Sequence, residues 1–302
     1  MVGCGYLVDA KILSENIVKN LDLALTLTVD EINGLFDEFH KIVKNQSICK
    51  IISSGSALVV GDIHGDFEIL KSIANLYLVK DKITHLIFLG DVVDRGSKSI
   101  ACLNLILSLV IKFPKKVHFL RGNHETLSVN SRYGFQDDVQ QYGFTLEMYR
   151  QINETFSQIP LALVHEGFRY FFVHGGIPVK SMTIDDFNKL PKVFDLIENN
   201  IVMQMLWNDP KEGIGRSSYS MRGTGIYTYG RERVDEFLKN NNLKMIIRAH
   251  EAFPEGSKYF FENKLLSIFS SEEYYTYTQA KVAYIDKKGK ITLFHPRETD
   301  AI

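Results

Sequence analysis

The chain has 302 residues, of which 45% are hydrophobic and 24% are charged, a composition typical of a folded globular protein. Lys and Arg number 35 and Asp and Glu number 36, so the formal net charge of -1 gives no electrostatic reason to expect nucleic acid or a membrane surface as a partner. The three cysteines form no CxxC pair, the first residues lack a signal-peptide pattern and no apolar run could cross a bilayer, so we expect a cytoplasmic protein.

The predicted elements follow one another without a linker or a repeat. Residues 1–50 are predicted to be helical, because "VDEINGLFDEFHKIVKN" places its apolar residues at helical spacing. The apolar runs "ALVVGD", "HLIFLGD" and "KVHFLRGN" then alternate with helical segments, which predicts an α/β fold with a largely parallel sheet. Further strands are predicted in "RYFFVHGG", "LKMIIRAHE" and "KLLSIFSS", and a hairpin in "KVAYIDKKGKITLFHP". We therefore predict one structural domain, in which an N-terminal helical segment (1–50) packs on a catalytic domain (51–302).

Five of these predicted strands end in Asp, Asn or His, usually beside glycine. Strand ends in an α/β sheet form the rim where loops converge, so residues far apart in sequence can become neighbours there. The candidates are Asp62, His64, Asp91, Asn123, His174 and His250. Any one of them alone would more simply be a turn residue, but five strand ends with the same character predict a shared site.

These candidates offer oxygen and imidazole ligands and no thiolate. Such a set suits Mn, Fe or Zn in a hydrolytic site, and it is large enough for two ions if one carboxylate bridges them. A paired site of this kind can activate water and hold a substrate for in-line displacement.

The blocks "GDIHG", "GDVVDRG" and "RGNHE", in this order, resemble the signature of the phosphoprotein phosphatase family of serine/threonine phosphatases, which contains protein phosphatases 1, 2A and calcineurin. The similarity continues through "YGF", "FFVHGGI", "MLWNDP", "RGTGIYTYG" and "IIRAHE". This resemblance implies a four-layer α/β/β/α metallophosphoesterase sandwich with a dinuclear metal site at the strand ends. It also implies hydrolysis of phosphoserine and phosphothreonine by direct attack of a metal-bridging hydroxide, phosphoprotein substrates and possible regulatory subunits.

The same resemblance implies a role for each candidate residue. It assigns the first ion to Asp62 and His64, the bridge to Asp91, and the second ion to Asn123, His174 and His250. Two divalent cations are expected, Mn in vitro, with Fe or Zn as the alternatives. It assigns the general acid to His124, oriented by Asp94, and the phosphate contacts to Arg95, Arg222, Asn123 and Tyr274. Asp209 is expected to line the site, and Arg121 and Arg248 are expected to be structural.

One segment, "FSSEEYY", departs from the family's "SAPNYC" loop. Tyr274 retains the phosphate-side tyrosine, whereas Glu272 and Glu273 replace uncharged residues. Because this loop is expected to overhang the site, both carboxylates are expected to lie near the incoming phosphopeptide and to favour basic peptides. The alternative is that both carboxylates point to bulk solvent, as charged residues of loops often do.

Two alternative functions remain open. Another metallophosphoesterase activity, such as hydrolysis of dinucleoside polyphosphates, would use the same metal-binding motifs. A non-catalytic scaffold is the second alternative, and it is disfavoured because every metal-ligand and acid position is present.

Overall fold

Two β-sheets lie face to face in the computed structural model, which describes residues 8–195, 198–273 and 277–302. The larger sheet has the order β1-β5-β6-β10-β12-β11, with β1 Cys49–Ile52, β5 Ala162–His165, β6 Tyr170–Val173, β10 Met245–Arg248, β12 Leu265–Ile268 and β11 Ser257–Phe260. The second sheet has the order β14-β13-β2-β3-β4, with β14 Ile291–Phe294, β13 Val282–Ile285, β2 Ala57–Val60, β3 His85–Phe88 and β4 Val117–Phe119. A small third sheet has the order β7-β9-β8, with β7 Asp209–Pro210, β9 Tyr227–Tyr229 and β8 Ser217–Tyr219.

Helices cover the outer face of each large sheet. The second sheet packs against a layer formed by α1 Ala10–Lys19, a short 3-10 helix Leu21–Leu25, α2 Val29–Val43, α3 Phe67–Val79, α4 Ser99–Lys112, α5 Leu127–Asn130, α6 Phe135–Gln141 and α7 Leu146–Ser157. The larger sheet packs against α8 Ile184–Phe187, α9 Asn200–Trp207 and α10 Arg231–Asn240. The predicted α/β/β/α order of layers is therefore confirmed.

Strand β2 shows why the predicted strands are apolar without interruption. Ala57 and Val59 point into the cluster between the two sheets, whereas Leu58 and Val60 point into the cluster beneath the helices. Successive side chains of a strand face opposite sides, so a strand covered on both faces needs apolar residues at every position.

The central order of strands and helices agrees with the prediction. Strands β2, β3 and β4 are parallel and are connected through α3 and α4, and β13 and β14 form the predicted hairpin. The sheets are nevertheless mixed, because β13 runs antiparallel to β2 and β5 runs antiparallel to β6. Strands β1, β5, β11 and the three strands of the small sheet were not predicted. Among the described residues, no helix is both long enough and apolar enough to cross a membrane.

The N-terminal residues are helical only in part. Helices α1 and α2 pack against α4 of the core, and α2 begins with a capping box between Thr28 and Glu31. The prediction of helix up to residue 50 is wrong at its end, because Cys49–Ile52 forms a strand that pairs in parallel with β5. The domain boundary at residue 50 stays a prediction.

Candidate metal and phosphate site

The strand ends of both sheets deliver the six predicted ligands to one place. Asp91 lies at the centre: its Oδ2 is 3.3 Å from His174 Nε2, 3.8 Å from His64 Nε2 and 4.0 Å from His124 Nε2. Asp62 lies beside this group, since its Oδ2 is 3.8 Å from His64 Nε2. Among the described residues, two sets of side chains bring their ligand atoms close enough to hold a metal ion: His64, Asp91 and His124, and Asp91, His174 and His250.

Hydrogen bonds to backbone carbonyls fix which nitrogen of two histidines faces the site. His174 Nδ1 lies 3.0 Å from the Leu89 carbonyl oxygen, and His64 Nδ1 lies 2.9 Å from that of Val93. If these nitrogens carry the protons, each neutral ring presents the lone pair of Nε2 to the site. His174 Nε2 then faces Asn123 Oδ1 at 2.8 Å, so two hydrogen-bond acceptors point at each other. Two acceptors this close need either an additional proton or a cation between their lone pairs.

The electrostatics of the buried carboxylates favour cations. Burial and the neighbouring carboxylate of Asp91 raise the pKa of Asp62 to about 7. His250 adds a buried Nε2 that has no hydrogen-bond partner among the described residues. Its Nδ1 lies 3.2 Å from His174 Nε2, so the ring nitrogens of two histidines face each other directly. The residues present therefore fit divalent cations, because cations would satisfy both the excess negative charge and the exposed lone pairs.

The backbone of the site is strained at several non-glycine residues. His64, Asp91, Asp94, Arg95 and His250 have positive φ angles of 46°, 54°, 70°, 72° and 69°. Side chains with a Cβ atom seldom adopt this left-handed region, and such strain is concentrated at functional sites.

Glu125 connects two of the strand ends. Its buried carboxylate accepts hydrogen bonds from the backbone N–H groups of Gly122, Asp91 and Val92, each at 2.8 Å. These bonds join the loop after β3 to the loop after β4. Asp91 Oδ1 adds a further connection, because it accepts the backbone N–H of His124 at 2.9 Å. Glu125 thus fixes the backbone of Asp91 by accepting its N–H group.

His124 and Asp94 form a buried acid pair beside the ligands. His124 Nδ1 lies 2.5 Å from Asp94 Oδ2, which leaves Nε2 facing the site. Burial by itself would lower the pKa of His124, but the carboxylates of Asp91 and Asp94 outweigh it and hold the pKa above the ordinary value. Asp94 is oriented in turn by the backbone N–H of Phe135, which donates to its Oδ1 at 2.9 Å. This arrangement can keep a proton on His124 and direct it toward the site.

Two arginines line the cavity of about 330 Å³ that contains the site. The Arg95 guanidinium lies 4.1 Å from the centre of the Tyr133 ring, a cation–π contact that restricts its position. Arg222 donates from Nε to Asp209 Oδ2 at 2.5 Å. The other oxygen of Asp209 accepts from buried Arg248 at 2.8 Å, so a chain of ion pairs positions Arg222. Two guanidinium groups in the lining of one cavity are suited to binding an anion with several oxygens.

A profile of the family described as "Calcineurin-like phosphoesterase" matches residues 56–254, which include all six predicted ligands. The chain belongs to this family. The match ends soon after His250 and therefore leaves the C-terminal hairpin of the calcineurin-like phosphoesterase fold outside it.

Similar proteins include phosphatases. The chain is 32% identical over 259 residues to a probable serine/threonine-protein phosphatase of Encephalitozoon cuniculi, covering 85% of this chain and 56% of that protein. It thus spans little more than half the length of this curated relative. A serine/threonine phosphatase from Saccharomyces cerevisiae, described as similar to human phosphatase PP5, superposes with a TM-score of 0.82 at 26% identity and covers 95% of this chain and 96% of its own. A cold-active protein-tyrosine phosphatase of Shewanella superposes with a TM-score of 0.62 at 16% identity, over 85% of this chain and 82% of its own, and shows the shared fold alone.

In the segment "FSSEEYY" of this calcineurin-like phosphoesterase, Glu272 does not lie where the sequence predicted it. Glu272 is turned away to His295 Nε2, 2.8 Å from its Oε1, and to Arg297, 3.3 Å from its Oε2. Glu273 lies against residues 96–98, and neither glutamate lines the cavity. The expectation that both carboxylates lie in the path of a phosphopeptide is therefore wrong for Glu272, which is held by His295 and Arg297 outside the cavity lining. For Glu273, a position in the path of a phosphopeptide stays a prediction. Tyr274, predicted as a phosphate contact, lies outside the described residues.

Some residues of the site were not predicted from the sequence. The cavity is lined in addition by Tyr133, Trp207, Glu251, Ala252, Phe269 and Tyr277. The Trp207 ring packs edge-on against His250 with the ring centres 5.4 Å apart. Trp207 lies within the block "MLWNDP" and Tyr133 within "YGF", so both residues belong to blocks that resemble the family, although no role was predicted for either of them.

Proposed function

We propose that this calcineurin-like phosphoesterase is a metal-dependent serine/threonine protein phosphatase. The observation that carries the proposal is the His124–Asp94 pair, which lies beside the cluster of metal-type ligands in a cavity lined by two arginines. The alkoxide of serine or threonine is a poor leaving group that needs a proton, whereas a site that acted only on activated phosphates would need no such acid.

The proposed cations would be held by the strand-end residues. Asp62 and His64 are assigned to one ion and Asn123, His174 and His250 to the other, with Asp91 shared because its Oδ2 lies near histidines of both groups. When bound, a pair of divalent ions would activate water and offset the negative charge of the phosphate. We propose that Mn supports activity in vitro and that Fe or Zn can also bind.

The protein's own residues then have separate tasks. Arg95 and Arg222 bind the phosphate oxygens, and their contacts with Tyr133 and Asp209 keep the two guanidinium groups in position. His124 donates a proton from Nε2 to the leaving oxygen of serine or threonine. Asp94 holds the proton on Nδ1 and stabilises the charged ring before the transfer.

The similar proteins support this activity and its substrate class. The Encephalitozoon cuniculi relative is described as a probable serine/threonine-protein phosphatase, and the Saccharomyces cerevisiae structure as a protein serine/threonine phosphatase. We accordingly propose phosphoproteins as substrates, and regulatory subunits as possible partners. The two described cysteines, Cys49 and Cys102, are free and buried, which supports the reducing environment of the cytoplasm as the place of action.

A side-by-side assay tests the proposal. The purified protein is stripped with a chelator and supplied with Mn, and its kcat/KM is measured on a phosphoserine peptide and on diadenosine tetraphosphate. We expect the peptide to be the better substrate and the activity to depend on the added metal. Preference for the dinucleotide, or full activity in a metal-free sample, would contradict the proposal.

A further inference from the structure

The two most exposed large apolar side chains of the described residues lie in one short segment. Met221 is 103% exposed and Tyr219 is 82% exposed, and both precede the cavity-lining Arg222. A single exposed apolar residue is common, but here two that are almost wholly exposed lie two positions apart in the chain, immediately before a residue that lines the cavity. We call Tyr219 and Met221 the apolar rim.

The apolar rim stands on a well-connected hairpin. Tyr219 pairs with Tyr227 across β8 and β9, and their rings stack with centres 5.3 Å apart. Ser218 Oγ and Thr228 Oγ1 are 2.7 Å apart and strengthen the same pair of strands. Tyr227 also donates its backbone N–H to Asn208 Oδ1 at 2.8 Å, and Asn208 itself is buried. The hairpin is thereby attached beside the cavity, because Asn208 directly follows the cavity-lining Trp207 in sequence.

Arg222 determines how near the apolar rim lies to the substrate. Met221 is its neighbour in the chain, and neighbouring Cα atoms are about 3.8 Å apart. A phosphoserine side chain has a single methylene group between its backbone and the phosphate ester oxygen, so the substrate backbone must pass the cavity mouth. An extended peptide advances about 3.3 Å per residue, which brings side chains within about three positions of the phosphorylated residue close to Met221.

The charge of this segment favours an apolar flanking residue. Between residues 217 and 224 the only charged side chain is Arg222, and it is paired with Asp209. The other side chains of the segment, apart from the apolar rim, are serine, threonine and glycine. A charged flanking residue would therefore find no unpaired opposite charge on this segment, whereas an apolar one would remove Met221 and Tyr219 from water.

We propose that the apolar rim selects substrates in which a large apolar residue lies within three positions of the phosphoserine or phosphothreonine. This proposal rests on the proposed phosphatase function and adds a determinant of substrate choice. Burial of part of an apolar side chain against the rim raises kcat/KM by about tenfold over a peptide with serine at that position. Small phosphate esters, which have no flanking residues, are unaffected.

The test uses the whole chain loaded with Mn and a set of phosphoserine peptides. Leu or Ser is placed singly at each of the three positions before and after the phosphoserine, and kcat/KM is measured for wild type and for the double variant Tyr219→Ser, Met221→Ser. We expect wild type to prefer Leu at one or more positions and the double variant to lose that preference. Activity on an aryl phosphate should be the same in both, which also reports that the variant is folded. Met221→Leu should retain the preference, and Val79→Ser, a change at a 76% exposed residue of α3, serves as the matched control.

Several results would overturn the inference. Wild type that hydrolyses all peptides equally, or a double variant that keeps the preference for Leu, removes the proposed selectivity while leaving the phosphatase function intact. Wild type that hydrolyses neither the peptides nor the aryl phosphate overturns the proposed function and this inference together. A dimer of wild type that becomes monomeric in the double variant, measured by light scattering, would show that the apolar rim is a self-association surface instead.

Discussion

Replacing His124 by Asn tests the proton donor directly. The ring lies against His64 and Tyr133, with ring centres 4.7 and 5.3 Å away, so a truncation to alanine would leave a hole beside a proposed ligand. Asn fills more of that space and still offers a polar group to Asp94. The change removes the group that Asp94 and Asp91 hold protonated, and positioned general acids contribute about 10²- to 10⁴-fold to a rate. For a phosphoserine peptide we therefore expect a loss of that order in kcat, equivalent to about 3–5 kcal/mol of barrier.

An aryl phosphate should respond differently, because its phenolate leaves without protonation. The assay compares kcat for the phosphoserine peptide and the aryl phosphate in wild type and in His124→Asn, at matched metal content. The ratio between the two substrates should change by about 10² or more, with the peptide affected. Asp94→Asn should act in the same direction, since Asp94 keeps His124 oriented. Equal losses on both substrates, with metal content unchanged, would refute the general-acid role of His124.

Three further changes separate metal binding, phosphate binding and stability. Asp91→Asn should lower the amount of bound Mn, measured by metal analysis, together with turnover on every substrate; an inactive variant that retains two full equivalents of metal would contradict the shared-ligand role. Arg222→Ala should weaken binding of the phosphopeptide and of the aryl phosphate alike, seen as a higher KM for both, whereas a change confined to one substrate would count against a phosphate contact. Burial lowers the pKa of His118 to about 2 in the folded protein, and the nearby Lys50, His85 and His165 act in the same direction. In the unfolded chain the pKa of a histidine is about 6.5. The unfolded state therefore binds one more proton than the folded state as the pH falls, which lowers the free energy of unfolding. His118→Gln should therefore lose about 2 kcal/mol less unfolding free energy than wild type between pH 8 and pH 5, measured by urea titration, and parallel pH curves for the two proteins would exclude this effect.

The features that could be predicted from the sequence are the buried strands and the polar residues that follow them. Strands β2, β3 and β4 are buried on both faces, so their apolar runs were visible, and the polar residues after them marked the site. Strand β1 was missed because it lies at a sheet edge with Ile51 exposed, so its pattern is weak. Strand β11, also at an edge and largely exposed, was missed for the same reason.

The orientation of single side chains was predictable only in part. The convergence of the ligands follows from topology, because all come from strand ends at one rim. The direction of Glu272 does not follow from its neighbours in sequence, because it is set by His295 and Arg297 more than twenty residues later. The exposure of Tyr219 and Met221 likewise depends on how the small sheet stands on the cavity wall, and the local sequence carries no signal for that.

The left-handed backbone at five non-glycine residues of the site has a consequence for attempts to engineer this protein. A library scored only by melting temperature would favour glycine at a position such as exposed Arg95, because glycine adopts its φ angle of 72° without a Cβ clash. Each such gain, of order 1 kcal/mol, would remove a charged group from the cleft. Heat resistance and turnover should therefore trade off most steeply at these few positions, and a selection for stability needs an activity screen from its first round.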